Sequence, residues 1–327
     1  MASISSLPKD VVLECLARAS KHDHPNLSLV STTFRSLVSS SELYAAGLLL
    51  GRTEHCLYVC IHVYPEPSPR WYTLRPTRAG DTKLVSIPSS PSDLPSNSSV
   101  VTIGSEIFII GGSINGEKTS SLLALDCRSH TWRRLPSMRM ARGESVACLI
   151  DGKIHVIGEG LGLEERHALC RVSEIVVFEG SMYGMAGRTK CFAYHAEDGS
   201  CDVHVPDPDG LSVWDHSYCA IGNVMYSCDY TGELRWYDRE DDEWRDVKFQ
   251  RPLRRPRLPR QFKLSDCGGN LVILWTESFN VISCSEITCE RRNRNEIWGA
   301  VKSSNVVLTA DFYNSSVDIL HCQVVTI

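Results

Sequence analysis

The sequence predicts a small α-helical domain over residues 1–50, followed by an all-β, six-bladed propeller over residues 52–327 with one blade truncated. Three observations predict this. A helical period of apolar residues runs to about residue 50 and then stops. Short β-branched and aromatic runs, broken by Gly, Ser, Asp and Asn, fill the remainder. Within those runs a spacing of 47 residues recurs, which marks a repeat architecture.

The helical elements come first. Pro8 suits the first turn of a helix, and Asp10 lies where a carboxylate favours the N-terminal dipole. Val12, Leu16 and Ala19 recur at four and three residues, with Val11 and Cys15 beside them on a broad apolar face. Pro25 starts a second helix carrying Leu27, Leu29 and Val30, and Phe34, Leu37 and Val38 continue the pattern. Ser39 with Glu42 fits a capping box ahead of Leu43, Ala46 and Leu50. So short a bundle carries more apolar surface than it can bury, so the surplus needs a docking partner. Pattern alone leaves open whether that partner is the downstream domain or another protein.

The β region is organised by repeats. Aligning the first apolar residue after each turn gives six starts at Leu57, Ile107, Ile154, Met182, Val224 and Leu271. Ile107 to Ile154 and Val224 to Leu271 are both 47 residues. Two downstream hairpins share an Asp followed by a Trp six residues later: Asp126 with Trp132, and Asp238 with Trp244. His195 and Cys201 keep that spacing with both residues replaced. Such a hairpin closes on a polar turn and brings back a large aromatic to fill the gap between neighbouring sheets. Gly111 and Gly112 let the backbone turn where a side chain would collide. A β-sandwich offers similar local runs, but the repeated Asp–Trp spacing and the fixed period favour the propeller. The step from Ile154 to Met182 is only 28 residues, too short for four strands and their turns. That blade is expected to keep inner strands near residues 146–157 and to lack an outer hairpin across residues 159–171.

These motifs resemble a known family. Leu7-Pro8 leading into Val11, Val12 and Leu16, then residues 27–37 reading LSLVSTTFRSL, resemble the F-box. Phe34 stands where that motif often has Trp. The repeats resemble kelch repeats, and the combination resembles the plant F-box/kelch-repeat proteins over nearly the whole chain. The resemblance implies an F-box that binds a Skp-type adaptor and, through it, a cullin ubiquitin ligase. The kelch-type propeller would then hold an unknown protein substrate. Leu7, Pro8, Val11, Val12, Leu16, Val30 and Phe34 would be adaptor contacts or F-box core. On this reading the chain is a non-catalytic substrate-recognition subunit. A non-ligase interaction scaffold is the alternative, and a kelch-type sensor or enzyme using the central channel is a third.

Composition narrows the remaining classes. Hydrophobic residues are 43% and charged residues 22%, ordinary for a globular chain, and no apolar run reaches the ~20 residues of a membrane span. A formal charge of −5 argues against general nucleic-acid binding. The fourteen cysteines include no C-x-x-C pair, and the N-terminal residues lack the basic and apolar regions of a secretory signal. Reduced thiols and a cytoplasmic or nuclear location are therefore expected, with Cys56, Cys60, Cys148 and Cys219 packing as small hydrophobes. No catalytic, cofactor or metal motif survives inspection. His22 and His24 flank Asp23 in what reads as a solvated turn, and Ser145 reads as a strand start rather than a nucleophile elbow. Residues 86–99, rich in Ser and Pro, read as an exposed loop. Arg251, Arg254, Arg255, Arg257 and Arg260 crowd ten residues with three prolines, a candidate basic partner-binding loop.

Overall fold

The computed structural model describes residues 7–77, 80–88, 91–143, 145–158, 172–186, 190–205, 217–229, 231–241, 243–251, 261–310 and 316–327. The helical domain consists of α1 (Lys9–Ala17), one 3-10 turn (Lys21–Asp23), α2 (His24–Leu27), α3 (Thr32–Val38) and α4 (Ser41–Leu49). Val12, Leu13, Leu16 and Ala17 of α1 close a core with Phe34, Leu37 and Leu43. Pro25 does sit in the first turn of a helix, but that helix ends at Leu27. Leu29 and Val30 therefore fall in the turn that follows and lie exposed. The expected capping box is displaced by one residue. Ser40, not Ser39, caps α4, its hydroxyl accepting from Leu43 N–H at 3.4 Å. Ser39 instead ends α3, donating its hydroxyl to the Arg35 carbonyl at 2.9 Å. Glu42 turns to Lys9 of α1 at 2.5 Å rather than to a cap.

The β region is a propeller. Its first sheet orders Ser316–Thr326, His55–Tyr64, Arg70–Pro76 and Thr82–Ser86, so the C-terminal strand supplies its inner edge. The second orders Ser99–Ile103, Glu106–Ile110, Leu122–Asp126 and Thr131–Leu135. A two-stranded sheet, Ser145–Ile150 with Lys153–Gly158, comes next. Then come Val172–Phe178, Ser181–Ala186, Lys190–His195 and Cys201–Val205, and after them Ser217–Ile221, Val224–Cys228, Leu234–Asp238 and Glu243–Asp246. The last sheet orders Phe262–Cys267, Asn270–Ser278, Val281–Asn293 and Glu296–Thr309, with Lys248–Phe249 added in parallel at the outer edge. Among the described residues, five sheets thus have four or more strands and one of the series has two. The first strands touch in closed succession from Ser316–Thr326 through Ser99–Ile103, Ser145–Ile150, Val172–Phe178, Ser217–Ile221 and Phe262–Cys267, and back to the start.

Apolar seams weld each sheet to the next. Among the described residues, the three seams that join the first sheet to the second, the first to the last, and the last to its predecessor each hold twelve or thirteen buried side chains. The other three seams, around the two-stranded sheet and its successor, hold three to six among the described residues. The expected short blade is there in its inner strands, paired from Ser145 with Gly158 to Ile150 with Lys153. Its turn, Asp151-Gly152, has positive φ at both residues, the geometry that suits strand twist. The expected loss of an outer hairpin concerns residues 159–171, outside the described residues.

Two sequence expectations need correction. Five of the six starts occupy the same place on the second strand of their sheets, one residue past the turn-closing pair where a turn precedes them. Val224 does not, because it is itself the closing pair with Ile221. Met225 is the equivalent residue, buried in the seam with the preceding sheet, while Val224 packs against the seam with the last sheet. The Ser/Pro-rich loop is not simply exposed either. Ile87 and Leu94 from it are buried between the first and second sheets, since a polar loop that must cross a seam gains by plugging it with apolar groups.

Candidate protein-interaction site

The helical domain separates into two sets that sequence could not divide. Val12, Leu16 and Phe34 are core. Leu7, Pro8, Val11 and Val30 are exposed, and Leu29, Leu48 and Leu49 join them in solvent. Ser31 fixes the start of α3 by accepting from Phe34 N–H at 3.1 Å, which turns Phe34 inward and leaves Val30 just outside the helix. The apolar surplus foreseen from the sequence is therefore real, and it is presented on the surface.

On the propeller, the Asp–Trp signature resolves into one device used twice. Asp126 ends a strand and its carboxylate accepts from Arg128 N–H at 2.9 Å, closing the turn. Asp238 does the same with Glu240 N–H at 3.2 Å. Six residues on, each Trp faces the residue just before the Asp: Trp132 pairs with Leu125 and Trp244 with Tyr237. Both rings pack at seams between sheets. A guanidinium neutralises each carboxylate. Arg128 forks onto Asp126, whose carboxyl is held below the usual range. Arg245 Nε lies 3.0 Å from buried Asp238, although off the line of an N–H···O bond. The third hairpin keeps the register, Tyr194 facing Cys201, but turns through His195 and Ser200 instead.

Gly111 and Gly112 knit loops together on one face. Gly111 N–H donates to the Ser121 carbonyl at 2.9 Å and Gly112 N–H to the Arg142 carbonyl at 2.8 Å. A Cβ at Gly111 would stand 2.7 Å from the Arg142 oxygen, and one at Gly112 2.5 Å from the Ser96 oxygen. Only glycine fits.

The junction of the two domains was not visible in the sequence. Lys21 Nζ donates to the Cys127 carbonyl at 2.5 Å and reaches the Tyr58 hydroxyl at 3.4 Å. Tyr58 O–H donates to the same carbonyl at 2.9 Å, so His130 Nε2, 3.0 Å from that hydroxyl, must carry the proton of their contact. Tyr44 of α4 bonds the Arg128 carbonyl at 3.1 Å, and the Arg128 guanidinium lies 5.6 Å from its ring centre. Burial raises the Tyr44 phenol to about 12 and lowers the His130 imidazole to about 4. Glu54, in the connector, accepts from Lys21 N–H at 3.1 Å and is tied through its backbone to Ile327 at 2.7 and 2.9 Å. Signals for these contacts are dispersed over more than a hundred residues, so no local motif could announce them.

His24 is not solvated: it is only 8% exposed and packs edge-on to Tyr44. Ser145 begins a strand and bonds Ser99 across the sheets at 2.9 Å. Cys56, Cys60, Cys148 and Cys219 are free and buried, and burial raises each thiol. No group of three metal-ligating side chains occurs among the described residues, and no helix there is long and apolar enough to cross a membrane. Arg251 is exposed, whereas Arg254, Arg255, Arg257 and Arg260 lie outside the described residues.

Known proteins match this architecture in place. The F-box domain family matches residues 4–45, and the FKB95 Kelch-repeats domain family matches residues 71–168 and 161–308. The chain is 38% identical over 322 residues to the putative F-box/kelch-repeat protein At1g19930 of Arabidopsis thaliana, covering 93% of this chain and 92% of that protein. It is 34% identical over 360 residues to the F-box/kelch-repeat protein At4g39550 of the same plant, covering 93% and 90%. With helices and repeats each matched where the structure puts them, the chain belongs to the plant F-box/kelch-repeat family.

Proposed function

We propose that this protein is the substrate-recognition subunit of a cullin-type ubiquitin ligase, its F-box holding a Skp-type adaptor and its propeller holding the protein to be modified. The observation that carries the reading is the exposed apolar group Leu7, Val11, Leu29, Val30, Leu48 and Leu49 on a helical domain whose own core is already closed. The chain would catalyse nothing itself; it would raise the local concentration of substrate lysines near a bound conjugating enzyme. We count the two-stranded sheet as a shortened third blade of six, supported by the closed succession of inner strands. Exposed Arg251 and its neighbouring arginines in sequence would add an electrostatic component to partner choice, in cytoplasm or nucleus.

The test is adaptor capture by the full chain. Val11→Glu combined with Val30→Glu changes only exposed positions, so folding should be nearly unaffected. Capture of a Skp-type adaptor should fall at least tenfold, while the circular dichroism spectrum and thermal midpoint stay as in the parent. Undiminished capture by the folded variant would remove the assignment.

A further inference from the structure

Between the helical domain and the propeller lies a cleft of about 210 Å³. Lys21, His24, Ser28 and Arg35 come from the helical side, Thr73 and Arg75 from the first sheet, and Arg128, Ser129 and His130 from a turn of the second. Four cations and two imidazoles thus converge, and among the described residues no carboxylate lines the cleft. Asp126 offsets Arg128 from just outside. Lys21, Arg35 and Arg75 have no carboxylate within ion-pair distance among the described residues, although Lys21 is held by the neutral oxygens of Cys127 and Tyr58. Clustering unpaired cations at a half-buried site costs free energy through mutual repulsion. The cost shows in the neighbours: after burial itself, the charges of Lys21 and Arg75 press the His130 imidazole downward. His24 supplies a second sign. The residue is 8% exposed, and both buried ring nitrogens lie near the Leu16 and Ala19 carbonyls without reaching hydrogen-bond geometry. A buried polar group left without a partner commonly marks a place where a ligand or ion belongs.

We propose that this cleft binds a small, multiply charged, phosphate-bearing ligand that bridges the two domains. The chemistry fits that class. Two guanidiniums free of carboxylate partners can grip phosphate oxygens in pairs, the ammonium of Lys21 adds a point charge, and Ser129 adds a hydroxyl. The size fits a compact anion better than a folded partner. Both walls are needed to form the site, so the ligand holds the helical domain at a fixed attitude to the propeller and stabilises only the docked arrangement. The inference does not depend on adaptor binding, because none of the apolar residues Leu7, Val11, Leu29, Val30, Leu48 and Leu49 lines the cleft.

The experiment is calorimetric titration of the full chain with inorganic tripolyphosphate at fixed ionic strength, with sulfate as the charge control and a phosphoserine decapeptide as a competitor class. Tripolyphosphate should bind at one site per chain, raise the thermal midpoint, and bind at least tenfold more tightly than sulfate. Arg35→Gln combined with Arg75→Gln should weaken it at least tenfold. Arg139→Gln combined with Lys153→Gln, which removes the same charge elsewhere, should leave the affinity unchanged. The single exposed change Arg35→Gln should give a smaller loss and guards against a misfolded double variant. Equal weakening by both double variants, or no preference over sulfate, would overturn the proposal. Tighter, Arg75-dependent binding of the phosphopeptide would also overturn it, in favour of a peptide site.

Discussion

At Gly112 the backbone has φ +97 and the space for a side chain is already taken by the Ser96 oxygen and Pro95 Cβ, at 2.5 and 2.8 Å. Neither is the tip of a flexible chain, so Gly112→Ala must move backbone. Strain and overpacking together should cost about 2–4 kcal/mol. Gly116→Ala shares a positive φ of +80 but has nothing within 4 Å, so it should cost only about 1–2 kcal/mol. Urea unfolding of the two variants measures the clash by difference, and equal losses would show that φ alone matters. The charge on His130 gives a second residue-level prediction. Its imidazole is lowered to about 4 by burial and by Lys21 and Arg75, against an ordinary value of 6.5. Between those values the unfolded chain binds the extra proton, so the stability this neutral ring contributes is complete above pH 6.5 and is lost as pH falls toward 4. His130 has φ 55, a conformation Asn tolerates. His130→Asn should therefore fold and should reduce the stability loss between pH 7 and pH 4.5 by about 2–3 kcal/mol. An unchanged pH profile in urea unfolding would contradict the assignment.

Elements were largely legible because their signals are local. The period-four apolar rows of α1 and the alternating runs of the strands are dictated by which face each residue must bury. The Asp–Trp spacing was legible too, since Asp caps its turn two residues on and Trp returns on the paired strand. Misreadings occurred where two neighbours could each do one job. Ser39 and Ser40 are both competent caps, and the helix boundary, set by tertiary packing of Leu37 and Leu43, chose Ser40. Val224 and Met225 are both apolar after a turn, and a shift of one residue put Met225 into the seam with the preceding sheet and Val224 against the seam with the last sheet. Which of the F-box residues Leu7, Pro8, Val11, Val12, Leu16, Val30 and Phe34 are buried and which exposed was not legible, because burial is decided by the neighbouring helices. The sheets also differ in how firmly they are held. Among the described residues the seams beside strands Ser145–Ile150 and Lys153–Gly158 hold few buried side chains, whereas Val281–Asn293 and Glu296–Thr309 form a long paired hairpin against a large seam. Amide exchange should be faster in Lys153–Gly158 than in the middle of Val281–Asn293 by at least a hundredfold, or about 3 kcal/mol in opening free energy. Equal protection factors by mass spectrometry would show that cooperativity spans the ring evenly.

Across the whole molecule, what sequence could not disclose is how the ring shuts and how the helical domain is attached. Strand Ser316–Thr326 returns to pair with His55–Tyr64, from Thr326 against His55 to Ser316 against Tyr64. The alternation of apolar residues in that last strand reads as a strand, but nothing local says that its partner lies over 250 residues away. Its inward positions tie the circle at several points: Ile319 N–H donates to Gln261 at 2.7 Å, and Gln323 accepts from Thr102 at 2.8 Å. Ile327 also clamps the connector at Glu54, which in turn accepts from Lys21. Closure of the propeller and seating of the helices are therefore one event at the C-terminal strand. Removing residues 316–327 should leave the edge of His55–Tyr64 unpaired and open to water the two seams that flank the first sheet. The truncated chain should not unfold cooperatively at the parent's midpoint and should associate through that edge, while the helices keep their local contacts. A synthetic peptide of residues 316–327 added in trans should restore part of the transition, because the strand's partners on the neighbouring sheets are otherwise intact. Cooperative melting of the truncated chain at the parent's midpoint, with no response to the peptide, would show that the ring closes by some other contact.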